Sequence, residues 1–155
     1  MYITELITNE NKLVHISKVD DADFKRITIK RYLFNWKKLK NECEIYKLTL
    51  IDSDDILGLI VLIDYPEEER TEIKLLTSSV ENIGKGKIYD RIAGCLIAFA
   101  GKEAIKKHKN YPALSLVPKT EIKLHYIKKY GMLDAGWQLY LADILLLNVI
   151  KKYLP

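Results

Sequence analysis

The sequence predicts an α+β fold: a mixed, mostly antiparallel central sheet flanked by helices, built by a single domain over residues 1–155. Three observations predict it. Three strand-like runs follow one another between residues 43 and 77, as in an antiparallel meander. A glycine-bearing loop and an amphipathic helix then lead to a further short strand, a β-loop-α-β unit. No Pro/Gly/Ser linker, repeat or low-complexity tract divides the 155 residues, a length that suits one domain.

Residues 13–19 (LVHISKV) read as a first strand, and Asp20, Asp21 and Asp23 can cap a short helix through Phe24 and Ile27. Residues 28–41 set Tyr32, Phe34 and Trp36 among basic residues and give no single pattern. Residues 43–51 (CEIYKLTLI) alternate as a half-buried strand does. Residues 52–55 are a turn signal, and residues 56–65 (ILGLIVLIDY) are apolar enough for a strand buried on both faces. A polar hairpin loop at 66–69 leads to a third strand, 71–77 (TEIKLLT).

After the loop 78–87, a helix from residue 88 places Ile88, Ile92, Cys95, Leu96 and Phe99 on one face. Its small residues, among them Gly94, Ala98 and Gly101, would let it approach a sheet closely. A short strand at 113–117, a helix at 119–130 ended by Gly131, a strand at 137–141 and a helix capped by Asp143 complete the chain.

Composition narrows the function classes. The chain is 48% hydrophobic and 30% charged, as soluble globular proteins are. Its net charge of +4 suits an anionic ligand and is too small by itself to argue for nucleic acid. Cys43 and Cys95 are far apart, and His15, His108 and His125 lack ligand spacing, so no metal site is expected. Cys95, on the apolar helix face, reads as a core thiol. Residues 1–11 carry Glu5 and Glu10 and no long apolar run, and the apolar stretch 139–150 is too short to span a bilayer. A cytoplasmic location and no membrane partner are the expectation.

The loop 78–87 carries the functional argument. A glycine-bearing loop before a helix N-terminus is an anion site, because the first helical N–H groups lack intrahelical partners. Gly84 and Gly86 permit left-handed dihedrals that turn successive amides inward, while Lys85, Lys87 and Arg91 add positive charge. A Walker A loop is excluded, since Lys85 precedes Gly86 and Lys87 precedes Ile88 rather than Ser or Thr. A dinucleotide fingerprint fails because Tyr89 stands at the third glycine and the preceding strands form a meander.

The stretch ENIGKGKIYDRIAGCLIAFAGKEA, from residue 81, resembles the acyl-CoA-binding motif of the GNAT acetyltransferases. The segment KLHYIKKYGM, from residue 123, resembles the family's other signature, a helix with an aromatic residue that ends in Gly plus an apolar residue. The resemblance covers roughly residues 42–153 and matches the family's element order. The family pattern Gln/Arg-x-x-Gly-x-Gly/Ala falls on Ile88, Arg91 and Ala93, which puts Arg91 where Gly is usual. A second register uses Glu81, Gly84 and Gly86. The first is preferred, because residues 93–97 then continue as the family's helix does.

The resemblance implies a sheet splayed at its middle and direct transfer of an acetyl group from acetyl-CoA to an amine, without a covalent intermediate or a metal. It implies pantetheine contacts at Leu76, Thr77 and Ser79. The pyrophosphate and its surroundings would involve Asn82, Gly84, Lys85, Lys87, Tyr89, Arg91, Ile92, Ala93 and Gly94. It implies Glu72 as the base and Tyr126 as the acid that protonates the leaving thiolate. The acceptor would be a small-molecule or protein amine, and a homodimer is compatible. Two alternatives stay open: a non-catalytic module of the same fold, and an acetylating toxin directed at RNA. The latter would use Arg31 and the aromatics of 28–41 as a stacking platform.

Overall fold

Local sequence accounts for most elements of the structure, a computed structural model that describes all 155 residues, Met1–Pro155. The strands are β1 (Tyr2–Glu5), β2 (Glu10–Lys18), β3 (Glu44–Leu50), β4 (Ile56–Tyr65), β5 (Arg70–Ser78), β6 (Tyr89–Asp90), β7 (Ala113–Leu116), β8 (Leu133–Asp134) and β9 (Leu139–Ala142). The helices are α1 (Ile29–Tyr32), α2 (Ile92–Lys107), α3 (Lys123–Tyr130) and α4 (Asp143–Tyr153), with several short 3₁₀ turns. The nine strands form a mixed sheet in the order β6-β1-β2-β3-β4-β5-β7-β9-β8, mostly antiparallel, with β5 and β7 parallel. The predicted α+β class is therefore the observed one. Contacts divide the chain into two units, Met1–Val61 with Leu75–Leu96, and Leu62–Lys74 with Ile97–Pro155.

In the first unit, the run Ile56–Val61 is buried at every position, as a wholly non-polar stretch with no alternating polar residue demands. Gly58 is required there by packing. A Cβ at that position would lie 2.7 Å from Ile92 Cγ2 and 2.9 Å from Leu96 Cδ1, so α2 sits directly on the strand backbone. Tyr32 (0% exposed) and Trp36 (1%) pack with Phe24, Ile27, Ile45, Ile56, Leu59 and Val61. Their polar atoms are satisfied inside the core: Tyr32 Oη donates to Ile56 O at 2.7 Å and Trp36 Nε1 to Tyr32 O at 2.9 Å. Tyr32 and Trp36 are thus core residues with no face open to a base, while Phe34, the third aromatic of segment 28–41, is half-buried.

The aspartates after β2 work differently from the expected helix cap. Asp20 and Asp23 bond reciprocally, each carboxylate accepting the other's backbone N–H at 2.9 Å, and they frame only one 3₁₀ turn, Ala22–Lys25.

Two further corrections concern this unit. β1 is a strand that local periodicity did not reveal. The helix expected from residue 88 begins at Ile92, because Tyr89–Asp90 pair antiparallel with Thr4–Glu5 of β1. Ile88 mimics one more turn of the apolar stripe, but it is exposed and its carbonyl accepts the Leu6 N–H at 2.9 Å.

In the second unit, β5 pairs with β7 from Arg70↔Ala113 to Ile73↔Leu116, and β7 pairs antiparallel with β9. Gly101 does not face a sheet as expected; a Cβ there would meet Leu146 Cδ1 of α4 at 2.8 Å. Asp64 accepts from Thr71 Oγ1 and Lys107 Nζ, both at 2.7 Å, which ties the end of α2 to β4 and β5. Helix α3 starts four residues later than predicted and ends as predicted, with Gly131 left-handed at φ 69°. Strand β9 begins after Trp137, which is exposed, and Asp143 is the first residue of α4 rather than its cap.

Candidate cofactor-binding site

The first unit carries every residue that the sequence assigns to the cofactor. The segment begins where Ser79 N–H donates to Leu57 O at 2.9 Å. Asn82, buried, then closes the loop neck: its Nδ2 donates to Ser79 Oγ and its Oδ1 accepts the Tyr89 N–H, both at 2.9 Å. Ile88 N–H reaches Glu81 O at 3.3 Å. Between these ties Gly84 (φ 74°) and Gly86 (φ 81°) are left-handed, as the sequence requires of them. Lys85 projects from the tip between them and is exposed.

Beyond the loop, Arg91 has φ 80°, a conformation few non-glycine residues adopt. It reverses the chain from β6 into α2. The first intrahelical bond of α2 runs from Cys95 N–H to Arg91 O at 2.9 Å, so the amides of Ile92, Ala93 and Gly94 precede the helical ladder. No acidic residue lies in that first turn, and the positive end of the helix dipole keeps its capacity to attract an anion.

Several predicted residues serve the site by building it. Asn82 has both ends of its amide engaged in loop closure. Thr77 Oγ1 donates to Ser78 O at 2.8 Å. Ile92 is a core side chain, leaving only its main-chain amide to offer, and Leu76 and Tyr89 are half-buried. The positive charge is less mobile than expected. Lys87 Nζ is 2.7 Å from Asp90 Oδ1, and the Arg91 guanidinium lies over the Tyr2 ring at 4.2 Å.

The two catalytic candidates lie in the second unit, and no hydrogen bond joins them. Glu72 is largely buried (side chain 16% exposed), with Oε1 3.9 Å from Arg70 Nη1 and Oε2 accepting from Tyr65 Oη at 3.4 Å. Arg70 also donates from Nη1 to Ser115 Oγ at 2.9 Å. Tyr126 packs 5.9 Å from the Tyr130 ring, and burial pushes its phenol above the ordinary range. It therefore stays protonated near neutral pH. Cys95 is fully buried, and burial pushes its thiol up to about 11, which leaves it an inert core thiol as expected. No group of three or more His, Cys, Asp or Glu is arranged to hold a metal, and no helix is long and apolar enough to cross a membrane.

Sequence reasoning missed Tyr2 and the Arg31–Asp55–Glu81 cluster. The guanidinium of Arg31 bonds Asp55 at 2.7 and 3.1 Å and Glu81 at 2.6 Å, across gaps of 24 and 50 residues that no local pattern reports.

No family sequence model and no curated protein matches the chain. Solved structures do. A GNAT family acetyltransferase from Elizabethkingia anophelis with acetyl-CoA bound superposes with a TM-score of 0.57 at 14% identity, over 84% of this chain and 98% of that one. The fold is that of the GNAT acetyltransferases. A Bacillus subtilis acetyltransferase in complex with CoA gives 0.56 at 13% identity, over 86% and 99%. A mutant AtaT toxin bound to the C-terminus of the antitoxin AtaR and to acetyl-CoA gives 0.60 at 12% identity, over 92% and 99%. Arg91, at the position where the motif resemblance places a glycine, has a left-handed φ that glycine adopts freely.

Proposed function

We propose that the chain is an acyl-CoA-dependent N-acetyltransferase, its 155 residues acting as one catalytic domain. The observation that carries the reading is the amide series Ile92–Ala93–Gly94, which precedes the helical ladder and follows the left-handed Arg91 at the end of a loop with two left-handed glycines. These amides hold the diphosphate, and the segment Leu76–Ser79 at the end of β5 borders the pantetheine. The acceptor is an amine, small or on a protein.

The amine nitrogen attacks the thioester carbonyl and forms a tetrahedral intermediate. The C–S bond then breaks, leaving an amide and a thiolate. Glu72 takes the proton the nitrogen loses, and Tyr126 gives one to the sulfur. Burial suits Tyr126 to this role, because its phenol holds the proton until the thiolate forms. Direct attack needs no metal and no enzyme nucleophile, in keeping with an inert Cys95.

Calorimetry with acetyl-CoA and desulfo-CoA tests the binding half. Thiol release in the presence of a panel of amines tests the transfer half. Saturable binding with no release for any amine would favour the non-catalytic module instead. The similarity to a toxin with acetyl-CoA bound supports an acetylating toxin as a second reading, although the buried Tyr32 and Trp36 weaken the stacking platform that its RNA-directed form would use. Binding of charged tRNA with a steep salt dependence would revive it.

A further inference from the structure

The Arg31 guanidinium is clamped between two carboxylates. Nη1 and Nη2 take Asp55 bidentately at 2.7 and 3.1 Å, while Nη2 and Nε reach Glu81 Oε1 at 2.6 and 3.2 Å. Such planar fork contacts fix geometry as well as charge. Arg31 is itself held on α1, whose Thr28 cap accepts the Arg31 N–H at 3.3 Å. On the far side the Glu81 carbonyl accepts the Ile88 N–H at 3.3 Å across the loop neck, and the next residue, Asn82, donates from Nδ2 to Ser79 Oγ and accepts the Tyr89 N–H at Oδ1. One connected series therefore runs from α1 to the neck of the glycine loop and on to β6, two residues before the helix tip.

Charge adds a second consequence. Burial disfavours an ionised Glu81, but the bonds from Arg31 and from its own neighbourhood outweigh this and hold its carboxyl below the ordinary range. Glu81 is therefore an anion in a loop that must accept an anion, and Arg31 compensates it.

We propose that Arg31 is a positioning residue for the cofactor loop. It holds the loop neck in register and neutralises Glu81, so that a diphosphate can settle beside the start of α2. The inference rests on the acyl-CoA reading above.

The test compares the wild type with Arg31→Met, Arg31→Lys, Glu81→Gln and the double variant Arg31→Met/Glu81→Gln. Desulfo-CoA affinity, the KM and kcat for acetyl-CoA, and exchange of the Tyr89 amide are read in each. Arg31→Met should weaken desulfo-CoA binding about tenfold and raise KM with kcat little changed, while Tyr89 exchange accelerates. Arg31→Lys should fall between the two, because one ammonium cannot bond both carboxylates in a plane. The double variant should recover part of the affinity, since the carboxylate within the cofactor loop itself is then neutral.

Undiminished affinity in Arg31→Met overturns the inference. So does a fall in kcat with KM unchanged, the mark of lost folded enzyme. A wild type that does not bind desulfo-CoA overturns the functional reading instead. Tyr89 exchange then decides the loop link alone, and equal rates in wild type and Arg31→Met refute it.

Discussion

Arg91 and Tyr2 hold each other across 89 residues: the guanidinium lies 4.2 Å from the centre of the phenol ring, and Nε donates to the Tyr2 carbonyl at 3.3 Å. The same carbonyl takes the Cys95 thiol at 3.4 Å. The N-terminal strand is thereby pinned to the start of α2, and an arginine is kept in a conformation that glycine adopts at no steric cost.

Arg91→Gly should therefore leave desulfo-CoA affinity within about threefold, losing a cation–π contact but relieving the left-handed strain. Arg91→Val should cost about 2 kcal/mol in urea unfolding and weaken binding, because a β-branched residue resists φ 80°. Equal behaviour of the two variants would show that the backbone conformation at this position does not matter.

Asn82→Ala removes both loop ties and leaves the Tyr89 N–H and the Ser79 hydroxyl without that partner. A loss of about 1–3 kcal/mol is expected, with a weaker response to CoA in thermal unfolding. Asn82→Asp keeps the acceptor for Tyr89 and loses the donor to Ser79, so it should fall between. An Asn82→Ala variant with unaltered stability and CoA response would remove the loop-closure role.

Gly58→Ala drives a methyl to 2.7 Å from Ile92 and 2.9 Å from Leu96 on α2. A cost of about 1–3 kcal/mol in urea is expected, rising further for Gly58→Val. At Gly84 and Gly86 a Cβ meets nothing within 4 Å, so alanine there costs only the left-handed penalty, about 1 kcal/mol each. A Gly84→Ala variant as damaging as Gly58→Ala would contradict the packing argument.

Acid stability should reflect Asp23. Burial disfavours its charge, but Lys47 at 2.6 Å, the Asp20 amide and Arg26 outweigh that and lower its pKa. A lowered folded pKa stabilises at pH above the unfolded value, and the benefit is lost as pH falls through the folded one. Unfolding free energy should hold from pH 7 to 5 and drop below about pH 4. Asp23→Asn should be less stable at pH 7 by about 3 kcal/mol and less sensitive to acid. An unchanged acid slope would mean that other carboxylates, Asp64 and Glu81 among them, carry the transition.

For the chemistry, Tyr126→Phe should lower kcat by about 10²–10³ with acetyl-CoA affinity kept, and Glu72→Gln should do the same. The Tyr126 phenol is raised above its ordinary value of 10.0, so its loss of a proton should put no alkaline limb on the rate between pH 7 and 9. Full activity in either variant would remove that residue from the mechanism.

The sequence revealed the elements whose patterns are local. Strands β3, β4 and β5 announce themselves by alternation or by unbroken apolar runs, and the left-handed glycines of the loop by their type. Strand β6 did not, because two residues become a strand only by meeting β1 some 85 residues away. The start of α2 was misplaced because Ile88 continues the apolar spacing while its carbonyl serves β1. The motif resemblance put Arg91 where glycine is usual and left it anomalous, since no one-dimensional pattern carries a backbone dihedral. Arg31, Asp55 and Glu81 stay invisible for the same reason: their bonds depend on three separate segments converging.

The central claim is most directly tested by titrating the ¹⁵N-labelled protein with desulfo-CoA and following the amides of Ile92, Ala93 and Gly94. Saturable downfield shifts of these three, larger than those elsewhere and absent with desulfo-pantetheine lacking the diphosphate, are the predicted result. Binding that leaves these amides unmoved, or no binding at all, would contradict it.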